Sequence, residues 1–402
     1  VRFIRKRIHQ YAIVVFVMKN NKTIYLDNAA TTVVSKEVVD AMLPVFTERY
    51  GNASSIHSMG QEAQALMEDA RKVIANKINA SAEEIIFTSG GTESDNIALK
   101  GIAIANKDRG NHIITSKIEH PAVLNTCKAL EKEGFKVTYL DVDKFGLIKS
   151  DQLKKAITKK TILVSIMHAN NEIGTIQDIE SIGNICKEKN IYFHTDAVQS
   201  FTKVLIDAKK VNVDLISLSA HKIHGPKGVG ALYVKKGTKL APIMSGGAHE
   251  RKVRPGTENV SGIVGFAKAV EISKEEDINR MSALREKLIV SLLKIPNTHL
   301  NGHPQDRLCN NASISFHFVE GESLLMHLDS HGIEVSTGSA CSSHELKASH
   351  VLLAIGVPHV KAHGTIRFTL SKYTTEKDID YTIKIVDEVV NNLRKISPLT
   401  ER

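Results

Sequence analysis

Between Ile85 and Val234 the chain repeats one unit, a short apolar, β-branched run followed by an amphipathic helical segment. The runs are Ile85–Thr88, His112–Ser116, Lys136–Leu140, Thr161–Met167, Ile191–Thr195, Leu215–Ser219 and Gly230–Val234, and most starts lie 22 to 29 residues apart. That is the length of a βα unit, and runs apolar on both faces suit buried parallel strands. The rhythm predicts an α/β domain with a mostly parallel seven-stranded sheet and helices on both of its faces. In the helical segment before the first run, Ala63, Leu66, Ala70, Val73 and Lys77 follow i, i+3/i+4 spacing.

After Gly262 the pattern changes. A long helical stretch, Ile263–Ile295, ends at Pro296, and the strand candidates Ala312–Phe318, Ile333–Ser336 and Thr365–Leu370 then mix with helices. The last helix carries Ile379, Ile383, Val386, Val390 and Leu393 on one stripe, and Thr375 with Asp378 makes a capping-box start. This predicts a smaller α+β domain. A chain of 402 residues is also longer than one small core uses.

Charge and cysteines narrow the function classes. The net charge is +9, but Arg2, Arg5, Lys6 and Arg7 supply four of those charges, so the remainder carries 9 − 4 = +5. The body of the chain has no Lys/Arg-rich run and no aromatic-studded basic strand, which argues against nucleic acid. The four cysteines, Cys127, Cys186, Cys309 and Cys341, make no Cys-x-x-Cys pair, which fits a reducing cytosol. No stretch approaches the roughly 20 apolar residues of a membrane helix. Val1–Met18 has a basic start and an apolar run but no small-x-small cleavage site. It reads as translated upstream sequence, with residues 1–17 dispensable; an export signal and a membrane anchor are the other readings.

Five segments carry chemistry. Lys222, in SAHKIHGPKG, stands just past the carboxyl end of a buried strand, where open α/β sheets bind ligands; taken alone it reads as a surface lysine. Lys227, in the same Gly/Pro turn, reads as surface. Asp196, in HTDAVQS, ends the preceding strand one βα unit away and reads equally as a helix N-cap. FTSGGTESDN places Gly90, Gly91 and Thr92 between a strand and a helix, which is a phosphate cradle or a plain tight turn. Together these suggest pyridoxal 5′-phosphate, with a lysine holding the aldehyde, an aspartate at the pyridine nitrogen and a helix N-terminus at the phosphate. His120 follows the strand His112–Ser116 and can stack on the ring or line its rim. Cys341 lies in the Gly/Ser loop VSTGSACSS as a candidate nucleophile or a structural thiol, whereas Cys127 and Cys186 read as helix core. Arg367, mid-strand in IRFTL, needs a carboxylate partner, from substrate or from an internal salt bridge. His327 and His331 have i, i+4 spacing but no Glu after the first His, so no metal site is expected.

The motifs YLDNAATT, FTSGGTESDN, TSKIEH, MHANNEIG, HTDAVQS, SAHKIHGPKG, RPGTENV, GSACSS and IRFTL run in one register from about Ile24 to Leu399. In that order and spacing the chain resembles the cysteine desulfurases of the NifS/IscS type, fold-type I pyridoxal-phosphate enzymes of the class V aminotransferase family. The resemblance implies a large cofactor domain over residues 32–275 and a small domain of residues 18–31 and 276–402 carrying the cysteine loop. It implies that Lys222 holds the cofactor covalently, Asp196 pairs with the pyridine nitrogen, Gln199 with the ring hydroxyl oxygen, and His120 stacks on the ring. Gly91, Thr92, Ser219 and His221 would bind the phosphate, helped by Thr257 from the other subunit of a homodimer. Asn171 and Arg367 would hold the carboxylate of L-cysteine, and Cys341 would take the sulfur as a persulfide, leaving alanine. SACSS resembles the group that feeds iron–sulfur scaffold proteins, with tRNA thiolation as a further outlet and Cys341 able to ligate a partner's cluster in passing. The implied setting is cytoplasmic. A selenocysteine lyase, a small-substrate aminotransferase and a catalytically silent sulfur-transfer partner are the competing readings.

Overall fold

The computed structural model describes residues 23–337 and 348–397. Val1–Met18 and Cys341 lie outside the described residues. Twelve strands occur among those described: β1 (Ile24–Tyr25), β2 (Ile85–Thr88), β3 (His112–Ser116), β4 (Lys136–Leu140), β5 (Thr161–Ser165), β6 (Tyr192–Asp196), β7 (Leu215–Ser219), β8 (Gly230–Val234), β9 (Thr298–Leu300), β10 (Asn311–Phe316), β11 (Ile333–Glu334) and β12 (Thr365–Thr369).

Seven of them form one sheet in the order β2-β8-β7-β6-β5-β3-β4. The pairs from β7 to β4 are parallel, and β8 runs antiparallel to β2 and β7. Every residue of β2, β3, β5 and β7 is buried, as strands covered on both faces must be. Two apolar layers lie against it, one with Ile74, Val164, Phe193 and Phe266, the other with Ile97, Leu99, Val123 and Leu163. The βα rhythm is therefore realised strand for strand. β5 ends at Ser165, two residues short of its run, and β6 is shifted by one residue to Tyr192–Asp196, although the Ile166 and His168 N–H groups still donate to the His194 and Asp196 carbonyls beyond the regular ladder.

In the second unit β12-β10-β9 form an antiparallel sheet, and β1 pairs in parallel with β11. Ile24 and Leu26 pack with Leu288, Phe316, Phe368 and Val386, in a core separate from those of the large sheet. The final helix, Glu376–Ile396, starts with the Thr375/Asp378 capping box in both directions.

Two local expectations change. The stretch Ile263–Ile295 is two helices, Val260–Glu271 and Glu275–Leu292, parted at Ile272–Lys274 so that each can face a different core. The buried stripe of the helix Ser58–Lys77 is Ala63, Met67, Ala70 and Ile74, with Arg71 and Ala75; Leu66 and Val73 flank it and Lys77 is exposed. Strands β1 and β9 are too short, at two and three residues, for any alternation to register.

Candidate active site

β6 and β7 are parallel neighbours, with His194 opposite Leu215. Asp196 is the last residue of β6, and Lys222 closes the short 3-10 turn Ala220–Lys222 directly after β7. Adjacent parallel strands end at the same edge, so the two side chains lie there near enough for each charge to act on the other.

Lys222 Nζ donates to the Ala30 carbonyl at 2.7 Å and more closely to the Ala29 carbonyl. Gln199 Nε2 donates to that same Ala29 carbonyl at 3.0 Å. Burial, with Arg367 and Lys203 nearby, pushes the Lys222 pKa down to about 8. At neutral pH a lysine so placed keeps a useful neutral, nucleophilic fraction. Asp196 Oδ1 accepts from the Val198 N–H at 2.9 Å, and burial raises its carboxyl above the usual range, against the pull of His120 and Lys222.

His120 is the N-cap of the helix Pro121–Lys132, its Nδ1 accepting from the Ala122 N–H at 3.1 Å. A neutral ring so capped carries its proton on Nε2. Burial lowers its pKa, so the ring is neutral at pH 7. Glu119, the preceding residue, is buried and accepts from Ser116 Oγ at 2.5 Å and from the Met167 N–H at 3.0 Å; burial raises it to about 8.

The turn Ser89–Gly91 opens the helix Gly91–Ala105. Gly90 has φ 152°, and a Cβ on Gly230 would meet the Gly90 Cα at 2.7 Å, so both positions need glycine. A Cβ on Gly91 would meet Val198 at 2.6 Å, and one on Gly90 would lie 3.9 Å from Ser219 Oγ. The helix N-terminus thus abuts both the Asp196 turn and the end of β7. Thr92 is exposed there, and a cleft of about 400 Å³ runs from Thr92 and Asn96 to His120. Ser219 Oγ is buried without a hydrogen-bond partner among the described residues. His221 Nδ1 lies 3.1 Å from Thr31 Oγ1, and burial takes its pKa down to about 4.

Arg367, on β12, crosses from the second unit. Its Nη2 donates to Asp27 Oδ1 at 2.9 Å, its Nη1 to the Asn171 carbonyl at 3.1 Å, and its Nε is buried without a partner among the described residues. The carboxylate demanded for this charge is therefore partly internal, with one donor left over. Thr257 stands apart. It is exposed behind Gly256, whose φ is 107°, and no described contact links it to the other residues of the site.

The donor set fits pyridoxal 5′-phosphate. A lysine, a carboxyl and a neutral imidazole share one strand edge, and an orphan hydroxyl and a glycine-opened helix N-terminus lie next to them. Asp27, Glu119 and Lys203 also belong to the arrangement and were not assigned from sequence. Asp27 lies inside YLDNAATT and Glu119 inside TSKIEH, so position within the motifs is the signal for these two; Lys203 lies three residues past HTDAVQS and carries none. His331 Nδ1 is used locally, 2.8 Å from the His327 carbonyl. The buried thiols Cys127 and Cys186 are both pushed up to about 12 by desolvation.

The Aminotransferase class-V family model matches residues 24–382. A cysteine desulfurase IscS from Methanosarcina thermophila is 56% identical over 389 residues, covering 96% of each chain. Cysteine desulfurase IscS 1 from Archaeoglobus fulgidus is 46% identical over 381 residues, covering 94% of this chain and 100% of the relative. Among solved structures, a NifS-like protein superposes with a TM-score of 0.87 at 43% identity, covering 92% of this chain and 100% of its own. A structure titled SspA in complex with cysteine superposes with a TM-score of 0.80 at 39% identity, covering 88% and 100%.

Proposed function

The chain belongs to the class-V aminotransferase family and is a pyridoxal-phosphate-dependent L-cysteine desulfurase, and we propose from that premise which residues do the work and where the sulfur goes. The observation that carries the assignment is the convergence of Lys222, Asp196 and His120 at one strand edge, with Arg367 close enough to depress the Lys222 pKa.

Pyridoxal 5′-phosphate, when bound, supplies an aldehyde and a ring that takes up the electron pair left at the substrate carbon. Lys222 anchors it with an amine kept partly neutral by burial and by its cationic neighbours. Asp196 holds a proton at the pyridine nitrogen, and Gln199 bonds the ring hydroxyl oxygen. Gly91, Thr92, Ser219 and His221 hold the phosphate with backbone and side-chain donors. Arg367 and Asn171 orient the substrate carboxylate, with Arg367 itself oriented by Asp27. His120, neutral and with its proton on Nε2, moves a proton near the substrate sulfur. Cys341 takes the sulfur as a persulfide.

We place the sulfur acceptor among iron–sulfur scaffold proteins, with tRNA thiolation as a second outlet. We infer a homodimer in which Thr257 completes the partner's phosphate site. Val39, Leu43, Phe46 and Tyr50 form an exposed apolar strip along the helix Lys36–Thr47 and just beyond it, while Val38 and Val45 are buried on its other side. That helix packs on Val260–Glu271, which begins three residues after Thr257. We read residues 32–275 as the cofactor domain, and 18–31 with 276–402 as the domain of the cysteine loop; the separate core holding Ile24 and Leu26 supports this. The free thiols of Cys127, Cys186 and Cys309 support a cytosolic setting. Among the described residues no helix is long and apolar enough to cross a membrane.

The test is mass spectrometry of the purified protein after exposure to L-cysteine. One added sulfur on the Cys341 peptide with release of alanine is expected. Release of alanine with no added sulfur on that peptide defeats the persulfide assignment.

A further inference from the structure

β2 is an edge strand of the large sheet, yet it is buried. Its outward backbone groups need partners that no further strand among the described residues supplies. The Phe87 N–H donates to Glu250 Oε2 at 2.6 Å, and the Ile85 carbonyl accepts from Arg71 Nη1 at 2.7 Å. Arg71 and Glu250 close the arrangement with a two-bond fork, Nη1 to Oε2 at 2.9 Å and Nη2 to Oε1 at 2.8 Å. Their side chains are 4% and 2% exposed, and the guanidinium lies over the Phe87 ring at 4.6 Å. A buried ion pair thus stands where an eighth strand would pair.

The pair joins two segments that matter elsewhere. Phe87 is followed by Thr88 and the Ser89–Gly91 turn. Glu250 begins the stretch that runs to Arg254 and Thr257. Glu250, Arg251 and Lys252 have φ of 37°, 56° and 64°, three consecutive non-glycine residues in the left-handed region. Such a run costs backbone free energy and persists only where its surroundings over-determine it. The three hydrogen bonds on the Glu250 carboxylate are that determinant. Further along, Arg254 Nε donates to Glu93 Oε1 at 3.0 Å, and the Ser89 N–H donates to the other oxygen of Glu93. The two segments are therefore locked together at both ends.

We propose that Arg71 and Glu250 are a positioning pair that sets the register of two phosphate-binding segments at once, the subunit's own Ser89–Thr92 turn and the Thr257 segment offered to its partner. This rests on the reading of Gly91, Thr92 and Thr257 as phosphate ligands. Neither Arg71 nor Glu250 is among those ligands, since their side chains are spent on each other and on the β2 backbone. Their effect falls first on the phosphate, because Lys222, Asp196 and His120 follow other strands and meet the Gly90–Gly91 turn only through its packing on Val198 and Ser219.

The test compares binding of pyridoxal 5′-phosphate with binding of pyridoxal, which lacks the phosphate, to the full-length protein stripped of cofactor, followed by visible absorbance. Glu250→Gln should weaken phosphate-bearing cofactor at least about tenfold and leave pyridoxal unchanged, so the ratio of affinities falls. Arg71→Lys keeps the charge but not the fork and should lower the ratio by less; it carries the test if Glu250→Gln does not fold. Leu292→Ala, in the core of the second unit, matched for loss of thermal stability, should keep the wild-type ratio. An unchanged ratio in the folded variants, or equal weakening of both ligands, overturns the proposal. If the wild type binds the two ligands equally, the phosphate reading beneath it falls, and the proposal with it.

Discussion

Lys203 Nζ donates to the backbone carbonyl of Lys222 at 3.1 Å, so a second lysine holds in place the turn that presents the first. The same ammonium donates to the Gln199 carbonyl at 3.0 Å, tying together the turns that follow β6 and β7. Desolvation pushes its pKa down to about 8, and its positive charge helps depress that of Lys222. Lys203→Met removes both ties and one like charge. The Lys222 amine should then titrate higher, and reconstitution of the visible absorbance with added cofactor should slow at pH 7. Unchanged reconstitution would show the two turns to be held by their strands alone.

Lys222→Ala should lose the visible absorbance of lysine-bound cofactor, whereas Lys227→Ala should keep it. Lys227 is exposed in the turn before Gly228, with its side chain on the surface. Equal colour in both variants would reject the assignment of Lys222.

The cysteines should separate cleanly. Cys341→Ser should still bind cofactor and L-cysteine, since Lys222, Asp196 and Arg367 are untouched, but release almost no alanine. Cys127→Ser and Cys186→Ser should stay active: both thiols are buried and pushed up to about 12, far from the thiolate form. Cys309 is also buried, and its pKa is raised by desolvation, so Cys309→Ser should behave alike. Alanine release by each variant, measured against wild type, decides the matter.

Acid should destabilise the fold from an unusually mild pH. Burial lowers His168 to about 4 and His194 to about 3, and His221 and His224 to about 4. Between these values and the ordinary 6.5 the unfolded chain binds protons that the folded chain refuses, so stability falls as pH drops through that window. Glu119, raised to about 8, acts in the opposite direction, being protonated in the fold where the unfolded carboxyl is ionised. Asp95, Glu172, Asp196 and Asp214 are raised by burial as well and act with Glu119, so the four strongly lowered histidines set the direction of the slope and the buried carboxyls reduce its size. Urea unfolding between pH 5 and 6.5 checks this; a flat profile would mean that the imidazoles are solvated in the fold.

Much of this protein was legible before any coordinates. Five of the seven runs of the large sheet match their strands residue for residue: β2, β3, β7 and β8 are buried almost throughout and so rich in apolar and small residues, while β4, at the sheet edge with Lys136 exposed, is marked by its β-branched and aromatic Val137, Thr138 and Tyr139, and both signals are local. The Thr375 cap and the strand-end placing of Asp196 and Lys222 are local too. The Asp27–Arg367 pair spans 340 residues and the Arg71–Glu250 pair 179, and neither follows from any periodicity. Lys203 carries no signal of its own in the sequence; only the fold brings it beneath the Gln199 and Lys222 carbonyls. The helix break at Ile272–Lys274 depends on which core each half faces. Sequence by itself determined the elements and the chemical inventory, since propensity and burial act over a few residues. Only the tertiary structure decided which charges neutralise one another, because buried charge is satisfied by whatever the fold brings within hydrogen-bond reach.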